Sequence, residues 1–407
     1  MAWHVACTSH HVWSAPTPAT HEAAPRFLAV DPHEGWQTSA LLARVRDRAA
    51  LEAVPEDWCY VHHFAEPDTP RAVALPAGGG RRLQLEVDRA VEAIRAVMRG
   101  ALSGDRLRRH RRDLAAALRA REERALASLS ARARQRDVGL VREAARIVVA
   151  PLRRGVALTP ESLGALPKRE RGRRMRDMAQ VAHELEALLR DFRGWARDVD
   201  RAGDEVTERA AREAVRRVLD PLRASYTRHA AVTAYLLELE RDVVAHAEQL
   251  AEADAPGVES DAPPPLRYRV RVVVDHAGVQ GAPVVYEPQP TYANLVGRSG
   301  TAGADADATH WVQPGALHRA SGGYLVLDAD EVAKHASVRL ALRRTVLSGE
   351  IVIDSLAHAM GIAKNLGGRP DPIPFGRTTI VLSGSGRDYE RLAAADPAFG
   401  PLFALAG

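Results

Sequence analysis

The sequence predicts an α/β protein, a mainly parallel sheet with flanking helices, interrupted by a long antiparallel helical arm. Two observations predict the sheet: β-branched runs follow residue 265, and helix-like segments lie between some of them. A third predicts the arm, because apolar residues recur at steps of three and four along much of residues 81–255. The chain of 407 residues is also longer than one ordinary domain requires.

The composition excludes several classes of protein. Hydrophobic residues make up 46% and charged residues 27%, which argues against a wholly disordered chain. No apolar stretch is long enough to cross a membrane, and the N-terminus lacks the pattern of a secretory signal. The two cysteines, Cys7 and Cys59, provide neither a disulfide framework nor metal-ligand spacing. We therefore expect a soluble, cytoplasmic protein without a membrane partner.

The first elements are predicted before residue 81. Residues 1–27 are rich in His, Pro and Thr and show no period, so we expect a disordered or poorly packed lead. Residues 28–80 should form the first part of the α/β core. Within this part we predict a strand at Phe27–Val30, a helix over Thr38–Ala53 and a second strand at Trp58–His62.

Residues 81–255 are predicted to be a helical insertion with coiled-coil spacing. The clearest apolar stripe consists of Met178, Val181, Leu185, Leu188, Phe192 and Trp195. Such a stripe needs a partner helix to cover it, so we expect long helices that fold back antiparallel. A short β-hairpin near residues 139–150 should interrupt them, and Thr159–Glu161 should start a helix. Pro221 is expected to separate two helices.

A proline-rich linker at 256–265 precedes the second part of the core, residues 266–407. Here the apolar pattern changes to short runs typical of strands. The predicted strands are Tyr268–Val274, Gly323–Leu327, Glu350–Ile353 and Thr379–Leu382. Helices between some of these strands imply a mainly parallel sheet.

Asp328 is the first candidate for chemistry, because it ends an apolar strand that two glycines precede. The carboxyl end of a central parallel strand faces the ligand crevice, where a carboxylate can hold Mg²⁺ beside nucleotide phosphates. Asp330 or Glu331, which follow, could polarise a water molecule. The alternative is that Asp328 only caps the next helix, and on these residues alone that is the more frequent role.

Longer segments around Asp328 resemble a known family. They are Ala282–Arg298, Pro314–Asp328, Leu347–Leu356 and Thr379–Gly384. In order and spacing they resemble the Lon-related ATP-dependent proteases, and Val54–Trp58 resembles an upstream segment of the same family. The resemblance covers about residues 54–80 and 266–405, with an insertion of the right size between them.

This resemblance implies an AAA+ large subdomain interrupted by a long coiled-coil arm. In the family, a nucleotide-driven homo-oligomeric ring threads polypeptide substrates to a Ser/Lys protease domain, with ATP and Mg²⁺ as cofactors. By position, Asp328 is the Walker B acid, and Asp330 or Glu331 is a candidate catalytic carboxylate. Ser383 or Ser385 lies near the sensor position. The loop 297–312 would face the pore, with His310 or Trp311 as the gripping side chain.

The phosphate-binding loop departs from the family. By position it falls at Asp31–Ser39, where Gly35 is the single glycine and Gln37 stands in the place of the basic residue. A phosphate loop needs glycines that let consecutive N–H groups face the phosphates, and a cation beside them. Thr38 and Ser39 still offer hydroxyls, of which Thr38 is the candidate metal ligand. We therefore expect ATP to bind weakly or not at all.

Two further departures concern the pore loop and the C-terminus. The loop 299–309 is small and acidic, so a flexible surface loop explains it at least as well as a threading loop. The sequence stops soon after the predicted sensor strand, so we expect neither a lid subdomain nor a protease domain on this chain.

Three functions therefore compete. The first is the AAA+ portion of a Lon-related ATP-dependent protease with a degenerate nucleotide site, the chain itself lacking peptidase activity. The second is a non-hydrolysing pseudo-ATPase scaffold whose arm recognises a partner. The third is nucleic-acid binding, with DNA contacted by the Arg-rich arm through runs such as Lys168–Arg176. Such runs are usually solvated helix faces, which makes the third function the weakest.

Overall fold

The computed structural model describes residues 27–30, 38–143, 146–252, 265–299, 312–354, 356–360, 369–397 and 404–405. Most of the predicted lead and linker lie outside these ranges. So do four of the candidate site residues, namely Gly35, Gln37, His310 and Trp311.

The elements before residue 136 are β1 (Phe27–Val30), α1 (Thr38–Ala49), β2 (Asp57–Val61), β3 (Arg71–Leu75), α2 (Gly79–Ser103) and α3 (Asp105–Gln135). The next are β4 (Val138–Glu143), β5 (Arg146–Arg153), β6 (Val156–Ala157), α4 (Pro160–Gly164), α5 (Lys168–Ser225), α6 (Ala230–Ala245) and α7 (Ala247–Glu252).

After a 3₁₀ turn at Leu266–Tyr268 come β7 (Arg271–Val274), β8 (Val284–Glu287), α8 (Tyr292–Val296), β9 (Gly297–Ser299), β10 (Val312–Pro314) and α9 (Ala316–Arg319). The last elements are β11 (Tyr324–Asp328), α10 (Ala329–Lys334), α11 (Ala336–Ser348), β12 (Glu350–Ile351), α12 (Leu356–Ala359), β13 (Ile373–Pro374), β14 (Thr379–Ser383), α13 (Gly386–Ala395) and β15 (Ala404–Leu405).

The chain divides into two compact units. The first contains residues up to 95 together with 216–243 and the residues from 254 onward. The second contains residues 96–215 and 244–253.

A five-stranded sheet forms the centre of the first unit. Its order is β15–β1–β14–β11–β8, and every pairing in it is parallel. The helix α1 covers one face, where Leu41, Val45 and Ala49 pack with Val326 and Val381 of the sheet. A larger apolar cluster, which includes Leu325 and Leu327 of β11, packs α9, α10 and α11 on the other face. The predicted parallel sheet with flanking helices is confirmed.

Three predicted strands lie outside this sheet, and the first of them, Trp58–His62, contributes β2. The run Tyr268–Val274 contributes β7 to a separate antiparallel sheet of order β3–β2–β7. The run Glu350–Ile353 contributes only β12, which pairs antiparallel with β13. The sequence did not predict which sheet each run joins, because β-branched composition favours strands but does not select their partners.

The helix α5 runs without interruption from Lys168 to Ser225 with Pro221 inside it, so the expectation that Pro221 separates two helices was wrong. Pro221 lies only four residues before the end of the helix. Proline lacks the N–H that would bond to the carbonyl one turn earlier, and its ring pushes against that carbonyl. At Pro221 only the last turn of the helix follows this defect.

A single buried carboxylate joins two distant parts of the first unit. Asp57 is fully buried, and its two oxygens accept hydrogen bonds from the backbone N–H groups of Gly80 (2.9 Å) and His276 (2.8 Å). Gly80 lies in the first turn of α2, where backbone donors are otherwise unsatisfied. His276 follows β7. A Cβ at Gly80 would lie 3.0 Å from the Sγ of Cys59, so the helix start also packs tightly against β2.

In the second unit α3 and α5 run antiparallel to each other. Arg111 donates to Thr207 (2.9 Å), the guanidinium of Arg121 lies 3.9 Å from the ring centre of Trp195, and Arg136 donates to Glu184 (2.8 Å). As the residue number rises on α3, it falls on α5. Val181 is buried against Ala133 and Val138 at the end of this pairing.

The predicted hairpin is confirmed and extended. The strands β4 and β5 pair antiparallel over Val138–Glu143 and Arg146–Pro151, and β6 adds a short third strand. The predicted helix start is also confirmed. The hydroxyl of Thr159 accepts from the N–H of Ser162 (3.3 Å), and Pro160 occupies the first helical position of α4.

Candidate functional site

The candidate site is the carboxyl edge of the five-stranded sheet. After β1 the chain returns to the sheet at the far strand β8 and then fills the positions of β11 and β14 back toward β1. After β14 it crosses to the other side of β1 to form β15. The connections thus reverse direction between β1 and β14. In open α/β sheets this reversal marks the crevice where ligands bind.

The strand register brings two candidate residues together at this edge. Ser383, the last residue of β14, pairs on one side with Val30 of β1 and on the other side with Asp328 of β11. Val30 immediately precedes the segment 31–37 that was predicted to replace the phosphate loop. Ser383 is buried, whereas Asp328 is half-buried.

Thr38 and Ser39 begin α1, and both are exposed. The other end of α1 lies at the amino edge of the sheet, because the carbonyl of Ala49 accepts from the N–H of Ala282 (2.8 Å), two residues before β8. The first turn of α1 therefore points toward the carboxyl edge, the side on which Asp328 and Ser383 lie.

Asp328 also caps α10, because its Oδ1 accepts from the N–H of Asp330 (2.9 Å). The alternative role considered from the sequence is therefore present, and it uses one carboxylate oxygen. Burial raises the pKa of Tyr286 on the neighbouring strand, and the negative charge of Asp328 raises it further. No ion pair to Asp328 occurs among the residues that the structure describes.

The other acids at this edge have cationic partners. The Nζ of Lys334 lies 2.6 Å from Asp330 and 2.7 Å from Glu331, and His335 lies 3.8 Å from Glu331. Arg391 also binds Asp330. The hydrogen bond from Lys334 is the main cause that lowers the pKa of Asp330. Glu331, the candidate catalytic carboxylate, is thus held by the last residue of its own helix.

Sequence reasoning did not single out Glu287, which ends β8 beside β11. Its carboxylate is largely buried and lies 3.2 Å from the guanidinium of Arg319. The signal was available, because Val284–Glu287 is a β-branched run that ends in an acid, as β11 is.

Gly384 was also overlooked as a structural part of this edge. A Cβ at Gly384 would lie 2.6 Å from the Cβ of Ala329, the first residue of α10. The turn after Ser383 therefore packs directly against the helix that Asp328 caps. Ser385 itself binds Asp388 through its hydroxyl (2.7 Å) and its N–H (2.8 Å), and so helps to start α13.

These residues fit one half of an Mg-nucleotide site. Asp328 presents a carboxylate without a counter-ion among the described residues, and a hard oxygen ligand of this kind suits Mg²⁺. The segment predicted to bind phosphate, residues 31–39, contains one glycine and no Lys or Arg, and carries Asp31 and Glu34. The described residues contain no cluster of three or more metal-ligating side chains.

Fold and site together define the class of the protein as an AAA-type α/β module with a helical insertion. A family model described as the LonB-like AAA domain matches residues 280–407. A second, described as the Lon-like LonC helical domain, matches residues 57–90. Over these two stretches the chain is similar to Lon-related proteins, as its sequence segments had indicated. A search of curated proteins gave no match. Among the described residues, no helix is both long and apolar enough to cross a membrane.

Proposed function

We propose that this chain is the AAA module of a Lon-related ATP-dependent protease and that it contacts polypeptide substrates. The module itself should bind ATP weakly or not at all. One observation carries the proposal: the register aligns the end of β1, Ser383 and Asp328 along one sheet edge. This alignment supports a nucleotide site at the edge, whereas the sequence after β1 lacks the groups that usually bind phosphate. Mg²⁺, if bound, would be held by Asp328 with a hydroxyl of Thr38.

The test is calorimetry of Mg-ATP binding to the full chain. We expect no saturable heat, or a Kd that is roughly millimolar or weaker. The variant Gln37→Lys restores a cation at the position where the family has one. If the rest of the edge is a nucleotide site, this variant should gain affinity about tenfold, because a charge-assisted hydrogen bond to phosphate forms.

The double variant Gln37→Lys/Asp328→Asn should lose that gain, whereas the matched control Gln37→Lys/Asp330→Asn should keep it. Micromolar affinity of the unaltered chain would contradict the weak-binding proposal. A Gln37→Lys variant that binds no better would favour the second function, a pseudo-ATPase scaffold, in which the edge no longer serves nucleotides.

We propose further that the loop carrying His310 and Trp311 contacts polypeptide substrates. Support comes from the rigid base of this loop, where β9 and β10 pair antiparallel. Gly297 has a φ of +94°, and a Cβ on Gly315 would lie 2.1 Å from the carbonyl oxygen of Leu295, so neither position accepts a side chain. In a homo-oligomeric ring such a base would hold the loop at the pore.

Cross-linking an unfolded polypeptide to the chain tests the role of the loop. Trp311→Ala should lower the cross-linking yield, and the matched control Thr301→Ala, at the other end of the same loop, should not. Equal yields for the two variants would sink the idea that Trp311 grips polypeptide.

The antiparallel pairing of α3 and α5 supports the proposal of a coiled-coil arm, because Val181 and Leu185 of the predicted stripe are buried. Such an arm would give the module a surface for partners outside the sheet.

A further inference from the structure

The second unit contains a strongly basic region, which we call the basic tip and define as residues 132–176. It comprises the end of α3, the sheet β4–β5–β6, α4 and the first turns of α5. It contains thirteen Lys and Arg against four Asp and Glu. Ala133 and Val138 pack with Val181, Leu140 and Val149, so the end of α3, the hairpin β4–β5 and α5 pack together.

Most cations of the basic tip make no ion pair with the residues that the structure describes. Arg132 and Arg136 share Glu184, Arg173 lies 3.6 Å from Asp177, and Arg174 binds Asp137 and Glu170. The remaining nine are exposed and make no ion pair with the described residues: Arg134, Arg142, Arg146, Arg153, Arg154, Lys168, Arg169, Arg171 and Arg176. Like charges held close together repel one another, so an acidic partner would relieve this repulsion.

Aliphatic side chains are exposed among these cations. Val148 is 38%, Val156 70% and Met175 53% exposed. Residues 132–176 contain no Phe, Tyr, Trp or His, so nucleic-acid bases would find no aromatic ring on which to stack. Cations interspersed with aliphatic groups instead match a polypeptide in which acidic and apolar residues alternate.

We propose that the basic tip is a docking surface for acidic polypeptide segments that also carry aliphatic side chains. The proposal goes beyond the AAA module and does not depend on nucleotide binding, because every residue that carries it belongs to the second unit.

Fluorescence anisotropy of a short fluorescein-labelled peptide of alternating Glu, Leu and Ser tests the proposal on the full chain. The tip variant Arg146→Gln/Arg153→Gln/Arg169→Gln removes three exposed cations and should weaken binding about tenfold. The matched control Arg190→Gln/Arg193→Gln/Arg209→Gln removes three exposed arginines of α5 outside the basic tip and should change affinity by less than about twofold. Binding should also weaken as salt is raised.

Three results would overturn the proposal. The first is equal binding of a peptide with Gln in place of every Glu, and the second is equal weakening by the tip and control variants. The third is tighter binding of a random-sequence DNA duplex than of the acidic peptide, which would make the surface a nucleic-acid interface. If the tip variant loses helical circular dichroism, competition on the unaltered chain decides: polyaspartate should displace the peptide, and failure to do so contradicts the proposal.

Discussion

Charged side chains gather at the carboxyl edge of the five-stranded sheet and at the basic tip, but their partners differ. At the edge, Glu287, Asp330 and Glu331 each have a cation within the chain, and Asp328 stands apart from them. At the basic tip most cations have no acidic partner among the described residues. Paired charges hold neighbouring elements together, whereas unpaired charges can attract an oppositely charged molecule. The difference separates charges that maintain the fold from charges that are free to bind.

The largest expected effect concerns pH, to which the arginines of the basic tip do not respond. In the first unit His318 is fully buried, neither ring nitrogen has a hydrogen-bond partner among the described residues, and burial lowers its pKa to about 3. Below about pH 6.5, His318 therefore binds a proton in the unfolded chain but stays neutral in the folded chain. Stability should be unaffected by this group above pH 6.5 and fall by about 3 kcal/mol between pH 6.5 and 4.

Urea unfolding at several pH values measures this loss. His318→Leu should flatten the pH dependence below pH 6.5 relative to the unaltered chain, because leucine fills a similar volume and binds no proton. Parallel pH profiles for the two proteins would show that His318 does not have the folded-state environment described.

Within the basic tip, Arg174 is the exception that sharpens the comparison. Its side chain is only 12% exposed, it donates to the carbonyl of Leu152, and it pairs with Asp137 (3.5 Å) and Glu170 (3.6 Å). Arg174→Ala should cost about 2 kcal/mol, because the carbonyl of Leu152 loses its hydrogen bond and the largely buried side chain of Arg174 loses its packing. Arg173→Ala, with a side chain 69% exposed, should cost less than about 0.5 kcal/mol.

Thermal and urea unfolding of the two single variants provide the measurement. Similar losses for both would mean that Arg174 behaves as a surface cation.

Replacing a glycine by alanine should lower stability at the sheet edge and raise it at the basic tip. Gly384→Ala should destabilise by about 2 kcal/mol, because its methyl would overlap Ala329 and the turn would have to move. Gly172 of α5 lies in open space within the basic tip, so Gly172→Ala should stabilise by about 0.5 to 1 kcal/mol through helix propensity. Differential scanning calorimetry distinguishes the two signs, and a stable Gly384→Ala would refute the tight packing at the edge.

The smallest effect is expected for Lys334→Gln, although Lys334 contacts both Asp330 and Glu331. Its side chain is 50% exposed, and ion pairs in solvent contribute little because water competes for both charges. The melting temperature should not change measurably. A clear drop would show that the edge depends on these pairs as strongly as the basic tip depends on Arg174.

The parts of the fold that were predictable are those whose signal is local. β11 and β14 were evident from β-branched runs, the hairpin near residues 139–150 from its composition, and α4 from Thr159 and Pro160. Partner choice was not local, so the separate antiparallel sheet of β2, β3 and β7 was missed. A proline near a helix end is tolerated for reasons that only the surrounding turns reveal, as Pro221 shows.

The candidate site was predictable to a similar extent. Asp328 and Ser383 were chosen from sequence segments, and the register places them side by side. The partners of Glu331 and Glu287 were not predicted, because ion pairs depend on side-chain geometry that a linear pattern does not specify. Whether Asp328, Glu331 and Ser383 act on a nucleotide stays a prediction.

The buried carboxylate of Asp57 has a consequence for how this chain can vary. Its two oxygens bind the N–H groups of Gly80, at the start of the helical insertion, and of His276, just after β7. A long insertion whose two ends are held at one buried anchor leaves and re-enters the α/β unit at a fixed place. The part of it that lies in the second unit, chiefly residues 96–215, is therefore the part free to change in length over evolution, whereas residues 216–243 and β7 belong to the first unit and must be kept.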